Sequence, residues 1–129
     1  MHAPIALIKS VPVGTGVSYG HQYVTTSDTR LALVGAGYAD GIPRHASNGA
    51  PLLIAGQAFS IAGRVCMDQF SVDIGDLDVH VGSDVCLFGD PSKGEPSVDD
   101  WALACDTINY EIMTRIGPRA HREFINQPW

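Results

Sequence analysis

The sequence predicts a mainly β fold, a small, partly open β-barrel with one short α-helix near the C-terminus, and three observations point there. Short apolar, β-branched runs recur between glycine- and proline-rich turns. One run, residues 69–74, alternates Phe70, Val72 and Ile74 with Gln69, Ser71 and Asp73, which gives one apolar and one polar face. Helical periodicity is confined to a window after Ser97. Short strands joined by tight turns suit a closed antiparallel sheet, because parallel pairing needs long crossovers.

Residues 5–11 are apolar enough for a first strand, stopped by Pro12 and a glycine cluster. A chain that starts directly in a strand reads as cut from something longer. Gly14, Gly16 and Gly20 frame Val17-Ser18-Tyr19-Gly20, a turn between strand-like runs. Residues 21–25 read as extended, Ser27-Asp28 supplies a turn, and residues 31–34 form the next strand. Residues 35–44 hold three glycines and a proline, so a long irregular loop carries Tyr38, Asp40 and Arg44 outward. Residues 51–54 and 58–61 flank Gly56-Gln57, which suits a type II′ hairpin turn with glycine first. An apolar strand at 84–88 follows the alternating one. Ser97 is placed to cap a helix, with Asp99 and Asp100 at the positive end of its dipole. Val98, Trp101, Ala102, Cys105 and Ile108 then share one helical face, and Tyr110 falls just beyond. Residues 119–124 are expected to pair back as a last strand.

At 129 residues with 45% hydrophobic content, residues 1–129 read as one folded domain with an ordinary core. A net charge of −6 disfavours a nucleic-acid or anionic-membrane partner. Residues 45–63 carry no formal charge, but Asn48, Gly49, Pro51, Gly56 and Gln57 break the run too often for a membrane helix. Cys66, Cys86 and Cys105 are odd in number and widely spaced, which argues against a disulfide framework and for a reducing cytoplasm. The five histidines show no ligand spacing, so no metal site is expected. Cys66 has no base beside it in sequence, since His80 and His121 lie far along the chain.

Taken singly, the candidate residues read as structural. A tyrosine among glycines is ordinarily a half-buried packing residue, and Val65-Cys66-Met67 reads as soft core filler. Their order changes that reading. Val17-Ser18-Tyr19-Gly20 is followed by Gly35-Ala36-Gly37-Tyr38-Ala39-Asp40-Gly41-Ile42-Pro43-Arg44. Then come Gly63-Arg64-Val65-Cys66-Met67-Asp68-Gln69 and Thr107-Ile108-Asn109-Tyr110-Glu111. Together these motifs resemble the C-terminal domain of alanine racemase, the pyridoxal-phosphate enzyme that interconverts L- and D-alanine. The resemblance covers about residues 7–124.

Racemisation needs one group on each side of the substrate Cα, one to take the proton and one to return it. The resemblance implies that Tyr19 serves the L-alanine side, opposite a lysine that binds pyridoxal 5′-phosphate. A free phenol titrates near ~10, so such a tyrosine needs a nearby cation or donor that favours phenolate. By the same resemblance, the Met67 backbone N–H and Tyr38 hold the substrate carboxylate, and the Tyr110 hydroxyl bonds the cofactor phosphate. Arg44, Arg64 and Ile108 would line the corridor by which substrate enters. Asp40 and Asp68, inside the motifs, are expected to fix Tyr38 and Met67 through loop hydrogen bonds.

The family's cofactor lysine lies in an N-terminal (β/α)8 barrel that 129 residues cannot hold. The only lysines, Lys9 and Lys93, sit in no matching motif. The chain is therefore expected to be a detached C-terminal part, inactive alone. Its expected partners are alanine, its own N-terminal barrel and a second copy in a head-to-tail homodimer. There Tyr19 and Met67 would reach the other subunit's cofactor and Tyr110 its own. Substrate breadth, alanine against serine or a broader set, stays open on these motifs. The alternative is a stand-alone β-barrel interaction module that keeps them for packing; a barrel with a lysine near its start, encoded upstream, separates the two.

Overall fold

The computed structural model describes residues 1–126, so the last residues of the expected domain, 127–129, lie outside it. The strands are β1 (His2–Val11), β2 (Gly16–Val17), β3 (Tyr23–Val24), β4 (Thr29–Val34), β5 (Pro51–Ile54), β6 (Gln57–Ser60), β7 (Phe70–Asp73) and β8 (Asp84–Cys86). Two helices follow, α1 (Val98–Ala104) and α2 (Asn109–Arg115). Six strands form one sheet in the order β6-β5-β8-β1-β4-β7, and β2 pairs with β3. Every pairing is antiparallel. A bridge between Ala62 and Ser71 brings the two edges together, so the sheet curls into the nearly closed barrel that short strands favour.

Alternation puts Ile5, Ala32, Val34, Leu52, Ile54, Phe70, Val72 and Val85 in the barrel interior, all almost fully buried. Trp101 of α1 completes it. The indole is fully buried, its Nε1–H donates to the Pro51 carbonyl at 2.9 Å, and its ring meets Phe88 edge-on at 5.7 Å. A buried indole needs such an acceptor for its N–H. The β1–β4 register slips between Ile5 and Leu7, a bulge that bends β1 around the core.

The structure departs from expectation in three places. The β5–β6 turn is centred on Ala55-Gly56 instead of Gly56-Gln57: φ is 48° and 76° there, and Ile54 pairs with Gln57. Two positive φ values make it a primed turn of the other type, matching the strand twist. The single expected helix is two. Ser97 caps α1 through the Asp100 N–H at 2.9 Å, but Asp106 turns left-handed at φ 54° and the Thr107 N–H closes on the Ala102 carbonyl, a Schellman-like stop. Ile108 is thus exposed at the start of α2, and Tyr110 lies in that helix's first turn. Residues 119–124 form no strand: the Ala120 N–H closes a turn on the Gly117 carbonyl, and the residues after it are irregular. Among the described residues no helix is long and apolar enough to cross a membrane.

Candidate functional site

Three loops converge at one side of the barrel. The first is a 3-10 turn, Tyr19–His21, preceded by Ser18 at φ 62° and broken within by Gly20 at φ 69°. This left-handed geometry leaves Tyr19 65% exposed, so its hydroxyl is not sealed in the core. The Ser18 hydroxyl donates to the Arg64 carbonyl at 2.8 Å and lies 3.5 Å from Cys66 Sγ. The Arg64 guanidinium packs on Gly20: a Cβ there would lie 3.1 Å from Nη1. Positive charge therefore stands against the turn that carries Tyr19.

The second loop bears Met67, and the third bears Tyr38. The Tyr38 and Ala39 N–H groups donate to the Cys66 and Met67 carbonyls at 3.0 and 2.9 Å. Gly37 makes this docking possible, since a Cβ on it would fall 2.3 Å from the Cys66 oxygen and 2.4 Å from the Met67 oxygen. Met67 and Tyr38 remain exposed. Arg44 lies over the Tyr38 ring at 5.8 Å, a cation–π contact, and also lines a cleft of about 360 Å³ with Pro43, Thr107, Glu111 and Arg115. Gly41, at φ 102°, receives the end of α2, where a Cβ would lie 2.1 Å from the Arg115 carbonyl. The helix whose first turn presents Tyr110, 74% exposed, is thereby fixed to the Tyr38 loop.

Asp40 fixes its loop as expected, but it is not carried outward: the side chain turns in to close the loop on itself. Its buried carboxylate accepts the Gly37 N–H at 3.0 Å and closes the Tyr38 turn. Arg119 is the residue that sequence reasoning missed. Its Nε lies 3.1 Å from Asp40 and its Nη1 2.9 Å from Asp68, so one guanidinium ties the Tyr38 loop to the Met67 loop. Asp68 first, and Asp40 with it, push the Arg119 pKa up and hold the side chain charged. The Gly117-Pro118 pair before it marks a chain reversal, the only local sign that this segment turns back toward the loops. As for the cysteines, Cys66 Sγ has Ser18 Oγ and the Arg64 carbonyl within hydrogen-bond reach, neither of them a base for a thiol. Burial pushes the Cys86 and Cys105 thiols up, which makes them poor nucleophiles.

The assembled loops have counterparts in known proteins. A protein family described as the C-terminal domain of alanine racemase matches residues 1–124. The chain belongs to this family. The alanine racemase of Frankia casuarinae is 57% identical over 120 residues, which is 93% of this chain and 31% of that protein. The solved alanine racemase of Streptomyces coelicolor superposes with a TM-score of 0.94 at 52% identity, over 98% of this chain and 33% of that one. That of Streptomyces lavendulae gives 0.89 at 57%, over 92% and 31%. The chain thus spans about a third of the length of the relatives it matches. Its fold is shared with these solved relatives.

Proposed function

We propose that this chain is the C-terminal domain of a pyridoxal-phosphate-dependent alanine racemase and that Tyr19 is the base on the L-alanine face. The observation that carries the reading is the turn geometry: a solvent-facing phenol clamped by Ser18 to the loop that presents Met67, with the Arg64 guanidinium packed on the next residue. In this reading Tyr19 Oη takes the Cα proton of L-alanine and returns it in the reverse direction. A lysine of the N-terminal barrel does the same on the opposite face.

Pyridoxal 5′-phosphate, when bound, supplies the electron sink that makes the Cα proton acidic. The residues present fit a contributor to that group, not its holder. Tyr110 offers an exposed phenol to a phosphate from the first turn of α2, whereas the two lysines, Lys9 on β1 and Lys93 in the turn Pro91–Lys93, belong to none of the three loops. The Met67 N–H and Tyr38 would orient the substrate carboxylate, and Arg44, Arg64 and Ile108 would line its approach, the two cations drawing in an anionic group. The remaining partner is the barrel itself. Leu103 of α1, with Ile108 and Met113 at the cap and within α2, leave apolar side chains exposed, which suits a covering domain. A head-to-tail homodimer in the cytoplasm completes the proposal, and three free thiols are in keeping with a reducing compartment.

The test joins this chain to the N-terminal barrel of the Streptomyces coelicolor relative and assays D-alanine formation from L-alanine. The joined protein is expected to racemise alanine, while neither part does so alone. A folded, cofactor-loaded fusion without activity would instead support the interaction-module reading.

A further inference from the structure

On the outer face of the sheet, away from the three loops, a mixed set of ligand-type side chains converges. His2 of β1 is the direct cross-strand partner of Cys86 of β8, so their side chains stand on the same face. Asp84, two residues before Cys86, shares that face, and its carboxylate lies 2.6 Å from His2 Nδ1. Val85 between them points the other way, into the core. Cys86 is outside the core cluster yet only 4% exposed, because the loop after β8 folds over it. That loop brings Glu95, and a ring nitrogen of His2, the Cys86 sulfur and a Glu95 oxygen all lie within 4.8 Å of one another.

Two further features make this a built arrangement. A Cβ on Gly89 would fall 2.0 Å from Glu95 Oε2 and 3.4 Å from Cys86 Sγ, so the absence of a side chain there is what lets the carboxylate lie over the thiol. One Glu95 oxygen is also fixed, accepting the Asp90 N–H at 2.6 Å. The Asp84–His2 contact matches a recurrent arrangement at metal sites, in which a carboxylate orients the ring of a ligating histidine. No local pattern points to it, since the three donors lie on separate segments with no short spacing between them.

We propose that His2, Cys86 and Glu95 bind one divalent transition ion of the zinc class, with Asp84 orienting the imidazole and water as fourth ligand. One sulfur, one nitrogen and one oxygen donor suit zinc and disfavour calcium or magnesium. Donor atoms around tetrahedral zinc lie roughly 3.3–3.8 Å apart, given its bond lengths, so a modest rotation of the exposed His2 ring toward Cys86 and the half-buried Glu95 completes the site. On binding, Cys86 releases its thiol proton to solvent and a sulfur–metal bond forms. The ion would staple the start of β1, the end of β8 and the Glu95 loop.

The experiment titrates the reduced, chelator-treated 129-residue chain with cobalt(II) and follows the thiolate-to-cobalt absorption band. The band is expected to saturate at one ion per chain and to disappear when zinc is added. Cys86→Ser should abolish it and Cys66→Ser should not, while His2→Gln and Glu95→Gln each weaken cobalt binding at least about tenfold. Because the α-amino group of Met1 adjoins His2, the titration is repeated with a two-residue extension ahead of Met1, which should leave the band unchanged. Should Cys86→Ser fail to fold, Glu95→Gln, a near-isosteric change at a half-buried position, decides. Absence of a thiolate band, a band that survives Cys86→Ser, unchanged affinity in Glu95→Gln, or loss of binding in the extended chain would each overturn the proposal.

Discussion

Ser18 donates its hydroxyl to the main-chain carbonyl of Arg64 at 2.8 Å, joining two turns 46 positions apart in sequence. No backbone ladder connects these turns, so the bond fixes the direction of Tyr19 relative to the Met67 loop. Ser18→Ala should cost only about 1 kcal/mol of stability, the usual net value of one hydrogen bond. Its effect on turnover in the barrel-joined enzyme should be larger, about tenfold, because misplacement of a reacting group is felt steeply. Steady-state kinetics beside denaturant unfolding separates the two.

Gly37 is held between the Cys66 and Met67 carbonyls, at an extended φ of −153° that any residue tolerates. Gly37→Ala therefore clashes without backbone strain. The methyl group must push the Met67 loop aside, at a cost of about 1–3 kcal/mol as for other overpacked sites. Urea unfolding measures it, and a value near zero would mean that the loops are not docked as described.

Arg119 bridges Asp40 and Asp68 from an exposed position, so its contribution to global stability should be small and weakened by salt. Its loss should appear instead in substrate binding. In the joined enzyme, Arg119→Gln is expected to raise KM for alanine several-fold with less change in kcat, since Tyr38 and Met67 are assigned to the carboxylate. Equal effects on both constants would contradict that division.

Tyr23 donates to Asp73 at 2.7 Å, and burial, then that hydrogen bond, then the aspartate's charge raise its pKa from 10.0 to about 12. The fold thus favours the neutral phenol. The stabilisation is complete below the unfolded value near pH 10 and is lost as pH rises through about 12. Urea unfolding of the wild type and Tyr23→Phe across that window should show an excess stability that is constant below about pH 10 and shrinks above it. A constant difference would mean that the phenol is not held by Asp73.

Much of the barrel was legible because burial on one face forces alternation: Phe70 and Val72 point inward as their spacing demands, and 51–54 is a strand with those same bounds. What local pattern missed was settled by contacts between distant segments or by rare backbone states. Ala55 and Asp106 adopt positive φ without being glycine, which moved the hairpin turn and split the helix. The residues of the candidate site could be named from their motifs, but not what binds them together. Gly37 against Met67, Ser18 against Arg64 and Arg119 between two aspartates are tertiary facts, and Arg119 lay in a segment read as a strand.

The most direct test of the account is solvent-deuterium exchange at the Cα of L-alanine in the barrel-joined enzyme, comparing wild type with Tyr19→Phe. Loss of a general base costs about 10²–10⁴ in rate, so exchange starting from L-alanine should fall by at least about a hundredfold while the variant remains folded and loaded with cofactor. Exchange and racemisation at the wild-type rate in Tyr19→Phe would contradict the assignment of Tyr19 as the base.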